Sequence, residues 1–275
     1  MEVNTVKAKK IISVLLVMLM CISMMAFVGC GESKTETDGD KTDTVEKDTV
    51  ETGTETADDK NDTADAETET DDKTAETVKV YVTLANAGEI AGAYKEVETE
   101  DTDGDGVVSV ADAIACGDKA ITGSDDGFAS AKTEYGTSIT KLLGVENGGS
   151  YGCYINNTFL QSFDDAVKEG DHIYAYCYKD LTAWTDAYSY FDQTTANTSG
   201  ELTLKLSYIA FDENYNPVET PVAGAIITID GEKTDAVTGE DGTVTITVEG
   251  SGEHLVSAVS DTMTLVPPVC IVTAG

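Results

Sequence analysis

Asp101, Asp103 and Asp105 occupy alternate positions of the stretch DTDGDGVVSVAD, residues 101–112, with Gly106 directly after them. Hard carboxylate oxygens at positions one, three and five, followed by a glycine at six, have the spacing of a twelve-residue calcium loop. Gly106 permits the sharp turn, Val107 would offer its backbone carbonyl at position seven, and Ser109 would contribute directly or through water. Asp112 stands at position twelve, where glutamate is more usual. The expected cofactor is therefore calcium, held by Asp101, Asp103, Asp105, Val107, Ser109 and Asp112. The competing reading is an acidic turn that holds no ion.

A second group of residues has chemistry of another kind. Eight of the twelve tyrosines lie between Tyr135 and Tyr190, with Trp184 and Phe191 among them. In DHIYAYCY, residues 171–178, strand alternation puts Ile173, Ala175 and Cys177 on one face and His172, Tyr174, Tyr176 and Tyr178 on the other. An aromatic row either stacks a sugar or planar ligand or packs a sheet with its hydroxyls at the edge. Tyr174, Tyr176, Tyr178 and Trp184 are the candidate ligand-binding residues.

Catalytic patterns do not appear. The two histidines, His172 and His254, are not at the spacing H-E-x-x-H, and both G-x-S-x-G and G-x-x-x-x-G-K-[ST] are missing. A non-enzymatic protein is expected. Cys116, Cys153, Cys177 and Cys270 form no C-x-x-C pair, and their three possible pairings stay open, as does a set of four buried thiols.

Composition limits the partners. The 275 residues include 17 lysines, no arginine and 51 acids, for a formal charge of −34. Phosphate contact and base readout need clustered cations and arginine forks, so no nucleic-acid partner is expected. Lys7, Lys9 and Lys10 precede an uncharged apolar run from Ile11 to Gly29, the pattern of a secretory leader. Such a run is also nearly long enough to remain as a membrane anchor. Its end, Phe27-Val28-Gly29-Cys30, resembles the bacterial lipobox. That resemblance implies lipid on Cys30 and a protein held at the bacterial cell membrane facing outside. Residues 31–77 carry 18 acids and 5 lysines and no aromatics, a composition that repels itself and stays disordered, as a spacer or an acidic tail.

The elements that must position these groups begin at VKVYVTLA, where Val78, Val80, Val82 and Leu84 alternate with Lys79, Tyr81 and Thr83 as in a half-buried strand. YKEVETE reads as a second strand after a turn in ANAGEIAG. VADAIACGDKAI reads as a helix, TSITKLLGV as another, and SYGCYINNTFL and DHIYAYCYKD as strands. Strands interleaved with one or two helices indicate an α+β domain. From ELTLKLSYIAF onward the pattern is strands and turn pairs such as Asp230-Gly231 and Asp241-Gly242, and all four prolines lie here, which indicates an all-β sandwich. The expected organisation is a leader at 1–29, a tether at 30–77, an α+β domain at 78–198 and a β-sandwich at 200–275.

The order YGTSITKLLG, GGSYGCYINN, VKEGDHIYAYCY resembles the bacterial relatives of the transcobalamin C-terminal domain, over roughly residues 78–192. The resemblance implies a β-grasp-like fold and a small-molecule binding or surface-presentation module. VAGAIITIDG and TGEDGTVTITV resemble immunoglobulin-like modules of bacterial surface proteins. The aspartate stretch matches the EF-hand pattern and resembles the loop and following helix of dockerin repeats, where aspartate at position twelve is normal; it occurs once, preceded by a strand.

Two function classes follow, of which the first is the expected one and the second the alternative. In the first, a lipid-anchored calcium-binding surface module holds a small molecule, glycan or protein partner on its tyrosine face. In the second, a structural or adhesive envelope protein uses calcium and the sandwich as stiffeners. A pocket lined by the tyrosines marks the first, and a filled core marks the second.

Overall fold

Three of the four apolar positions of the first predicted strand are fully buried: Val80, Val82 and Leu84 are the inner face of β1 (Val78–Asn86), and Val78 at its start is half-buried. The computed structural model describes residues 77–148 and 150–275. The leader, Cys30 and the tether up to residue 76 lie outside the described residues. Among the described residues no helix is long and apolar enough to cross a membrane.

Strand β1 turns at Ala87-Gly88 into β2 (Glu89–Thr99), and both turn residues have positive φ, 51° and 88°. The chain then runs through the aspartate loop into α1 (Val110–Thr122). Ser109 caps this helix, and Ser109 and Asp112 form a reciprocal capping box. Gly123, at φ 71°, ends it by donating its N–H to the Lys119 carbonyl. The buried residues Val110, Ala113 and Ile114 pack on Val80, Val82, Leu84, Ile173, Ala175 and Cys177. Gly117 allows the close approach, because a Cβ there would lie 2.5 Å from a Val82 methyl.

After the helix come the hairpin β3 (Ala129–Thr133) and β4 (Gly136–Lys141), then β5 (Tyr151–Ile155), β6 (Thr158–Phe159) and β7 (His172–Cys177). The sheet order is β2-β1-β7-β5-β6. Its central pair, β1 and β7, is parallel, from Tyr81 opposite His172 to Asn86 opposite Cys177, and the other pairs are antiparallel. A parallel pair needs a long crossover, which α1 and the intervening hairpin supply. The helix expected over TSITKLLGV is not formed: Gly136–Lys141 is strand, with Ile139 buried and paired with Ser130. Thr137, Ile139 and Thr140 are β-branched, and the hairpin partner supplied a ladder that a short apolar run cannot specify alone.

The remainder is all β. One sheet contains β11 (Pro217–Pro221), β10 (Glu201–Phe211), β8 (Ala187–Phe191) and β16 (Leu265–Val266), with β14 (Thr243–Thr247) on the first half of β10. The other has the order β13 (Glu232–Val237), β12 (Ile226–Ile229), β15 (Gly252–Val259), β17 (Cys270–Ala274) and β9 (Thr195–Thr198). Leu204, Leu206, Phe191 and Ile246 from the first sheet meet Ile227, Val256, Cys270 and Val272 from the second in one buried core, so this half is a β-sandwich. The expected boundary at 198/200 moves toward the N-terminus. Strand β8 pairs with β10, and β9 pairs with β17, so both belong to the sandwich.

Candidate functional site: an aspartate loop and a tyrosine joint

The aspartate loop is shaped by its own carboxylates. Asp101 accepts the N–H groups of Gly104 at 2.7 Å, Gly106 at 2.8 Å and Asp105 at 3.2 Å. Asp105 accepts the Val107 N–H at 3.0 Å. Gly104 and Gly106 sit at φ 75° and 91°, where a side chain would be strained. The result brings one oxygen from each of Asp101, Asp103 and Asp105 within 4.8 Å of one another. Hydrogen bonds from the loop backbone, that of Gly106 foremost, hold the Asp101 carboxyl below the usual range. A convergent set of carboxylate oxygens with no nitrogen or sulfur donor fits a hard cation of the calcium kind.

The other expected ligands are placed differently. Asp112 is buried at the start of α1, where one oxygen accepts the Thr102 N–H and hydroxyl and the other accepts the Ser109 N–H at 2.9 Å and hydroxyl at 2.6 Å. It stands outside the gathered trio, because the helix end needs its carboxylate as a cap. Ser109 is buried as the partner of that cap, and the Val107 side chain is exposed.

Sequence reasoning missed two members of this cluster. Lys132, on β3, places Nζ 3.3 Å from Asp103, 3.2 Å from Asp105 and 3.2 Å from Asp164. Asp164 in turn accepts the Thr137 N–H at 3.0 Å. Hydrogen bonds to Asp164, then Asp105 and Asp103, raise the Lys132 pKa well above that of a free lysine, so the ammonium stays charged. The Lys132 ammonium thus offsets part of the loop's negative charge. No local pattern marks a partner 27 or 32 residues away.

The tyrosine row is not a ligand-facing surface. Tyr174 and Tyr176 are each only 2% exposed and belong to a buried cluster with Tyr154, Tyr188, Val266 and Val269, where the first sheet meets the sandwich. Tyr188 stacks on Tyr154 with centroids 3.6 Å apart and meets Tyr174 edge-on at 5.5 Å. The Tyr174 hydroxyl donates to the Pro267 carbonyl at 2.6 Å, and Ser189 donates to the Val266 carbonyl at 2.7 Å. Gly152 makes room for the Tyr176 ring, which would lie 2.1 Å from a Cβ at that position. The alternation is as read from the sequence, since Ile173, Ala175 and Cys177 face α1. The tyrosine face is covered by the second half of the chain.

Tyr178 is half-buried and hydrogen-bonds with Tyr176 at 3.3 Å. Trp184 is 59% exposed on a turn at φ 50° and donates to the Ser150 hydroxyl at 3.2 Å. It does not join the buried row.

The two histidines each contact a neighbouring side chain. His172 is buried, contacts the Thr83 hydroxyl at 2.8 Å, and is held neutral, its pKa lowered by burial to about 4. His254 contacts Asp230 at 2.7 Å. Cys116, Cys153, Cys177 and Cys270 are all free thiols. Burial pushes Cys177 and Cys270 up to about 12, which suppresses the nucleophilic thiolate.

No family model matches the chain, and no curated protein matches it. Solved structures show a distant likeness. The N-terminal four Ig domains of Dscam1 isoform 7.44 share 9% identity over 72% of this chain, with a TM-score of 0.22. The chain spans 44% of that structure. The D0-D1 domain of intimin shares 14% identity over 70% of this chain and 97% of its own, with a TM-score of 0.24. Tandem Ig repeats of Dlar share 12% over 72% and 96%, with a TM-score of 0.22.

Proposed function

We propose that this chain is a lipid-anchored, calcium-stabilised surface protein whose folded part has a structural or display role outside the bacterial cell membrane. The observation that carries this reading is the tyrosine joint: Tyr174, Tyr176 and Tyr188 are committed to packing between the two halves. The aspartate loop is left as the exposed chemistry. Membrane attachment through Cys30 rests on the basic leader and its Gly29-Cys30 end. A β-grasp-like first half is supported by the order β2-β1-β7-β5-β6, the parallel central pair and the helix across one face. An immunoglobulin-like second half is supported by two sheets closing on one core.

A non-enzymatic role is supported by the neutral buried His172 and the thiols raised by burial. The absence of arginine and the charge of −34 disfavour nucleic acid. A small-molecule, glycan or protein ligand, if one is bound, contacts a surface other than Tyr174 and Tyr176.

Calcium competes with Lys132 for Asp103 and Asp105 in this reading. Calorimetric titration and thermal unfolding test it. Calcium should raise the melting temperature, by the equivalent of about 1.4 kcal/mol at tenfold excess over its dissociation constant, and magnesium should substitute poorly. The rise should vanish in Asp103→Ala and Asp105→Ala, and Lys132→Gln should bind calcium more tightly than the wild type. Absence of both binding heat and melting shift would leave the loop as an acidic turn held by its lysine ion pairs.

A further inference from the structure

A cavity of about 670 Å³ opens between the two halves, away from the aspartate loop and beside the tyrosine joint, whose neighbours Ile90, Leu255 and Pro267 line it. One wall is the β1–β2 turn with Glu89 and Ile90, joined by Lys179; the other is the outer face of β12 and β15. Its size is that of a small-molecule site, and a junction between two folded halves is a common place for one.

The lining is chemically specific. Thr228 and Ser257 are cross-strand partners on β12 and β15. Both residues are only 7% exposed and both line the cavity. Their hydroxyls form an adjacent donor and acceptor pair on this wall. Among the described residues Lys79, Lys119, Lys132, Lys141 and Lys205 are held in ion pairs, whereas Lys179, like Lys95, Lys168 and Lys233, pairs with no carboxylate, and of these four only Lys179 lines the cavity. Among the described residues Glu89 likewise pairs with no cation. Asp230, the other charge at the wall, is already engaged by His254 and by the Leu255 N–H at 2.9 Å. Ile90 and Leu255 supply apolar surface between these groups. No aromatic ring lines the cavity, so a sugar would find no stacking platform.

One unengaged cation, one unengaged carboxylate, a hydroxyl pair and aliphatic walls match a zwitterion with an apolar body. We propose that this cleft binds a short peptide with free termini and aliphatic side chains. Lys179 takes the carboxylate, Glu89 the ammonium, and Thr228 and Ser257 the peptide groups between them. This reading goes beyond the display role and does not depend on calcium.

The test is titration of the folded chain with the tripeptide Ala-Leu-Ala, followed by calorimetry and by amide chemical shifts. Saturable binding with a dissociation constant in the range up to about 10 mM is expected. Lys179→Gln, Glu89→Gln, N-acetylation and C-amidation should each weaken it by about tenfold or more, the loss of one charge-assisted hydrogen bond. The amide shifts should centre on β12 and β15. Both variants replace exposed side chains, and an unchanged melting temperature shows that they fold. No saturable binding, equal binding of the capped peptide, or indifference to either variant overturns the proposal.

Discussion

His172 begins β7 with its ring buried against Tyr94, at 4.9 Å edge-on, and against the Thr83 hydroxyl. Burial disfavours its charged form and lowers its pKa to about 4, against about 6.5 in an unfolded chain. Between these values the unfolded state binds more protons than the folded state, so stability is full above the unfolded value and falls as the pH drops toward 4. This group alone should remove up to about 3 kcal/mol across that window. Urea unfolding at pH 7 and pH 4 measures it: His172→Gln should lose less stability on acidification than the wild type. An identical loss in the two proteins would show that the carboxylates alone set the acid sensitivity.

Helix α1 depends on small residues as much as on its caps. Gly117 is an interior position where alanine would normally favour helix formation by about 1 kcal/mol. Here the alanine methyl would meet the branched Val82 side chain, which is itself fully buried in the central strand β1. Overpacking in such a place costs about 1 to 3 kcal/mol, which outweighs the propensity gain. Gly117→Ala should therefore lower the denaturation midpoint. Val82→Ala is itself destabilising, but in its background Gly117→Ala should cost less than in the wild type, because the two colliding methyls are gone. A midpoint raised by the single substitution would mean that the helix rides further from the sheet.

The described part of the chain is two β-rich halves joined through an apolar, aromatic layer. Tyr188 comes from the sandwich strand β8, yet it stacks on Tyr154 of the first sheet and donates to the Asn157 side chain at 2.9 Å. A joint of this kind couples the halves, so calorimetry should show one unfolding transition rather than two. Truncating a buried aromatic costs about 3 to 5 kcal/mol, and Tyr188→Ala should lower the stability of both halves together. Two separate transitions, with only one of them moved by the substitution, would mean that the layer is contact without coupling.

Much of this architecture was written locally. The period of two in residues 172–178 assigned Ile173, Ala175 and Cys177 to one face and the tyrosines to the other, and the helix was legible in VADAIACGDKAI, whereas its cap at Ser109, read as a calcium ligand, was not. The convergence of Asp101, Asp103 and Asp105 was legible too, since five residues and two glycine turns set it. What covers each face was not legible. The tyrosines meet a segment whose contacts lie 93 residues from Tyr174 and 77 from Ser189, and Lys132 reaches the aspartates from a hairpin whose second strand resembled a helix. The same non-local pairing placed β8 and β9 in the sandwich and set Thr228 and Ser257 opposite Glu89 and Lys179 across a cleft. Side-chain direction follows from backbone periodicity within a few residues, whereas the choice of neighbour follows from burial of apolar area between segments far apart in the chain.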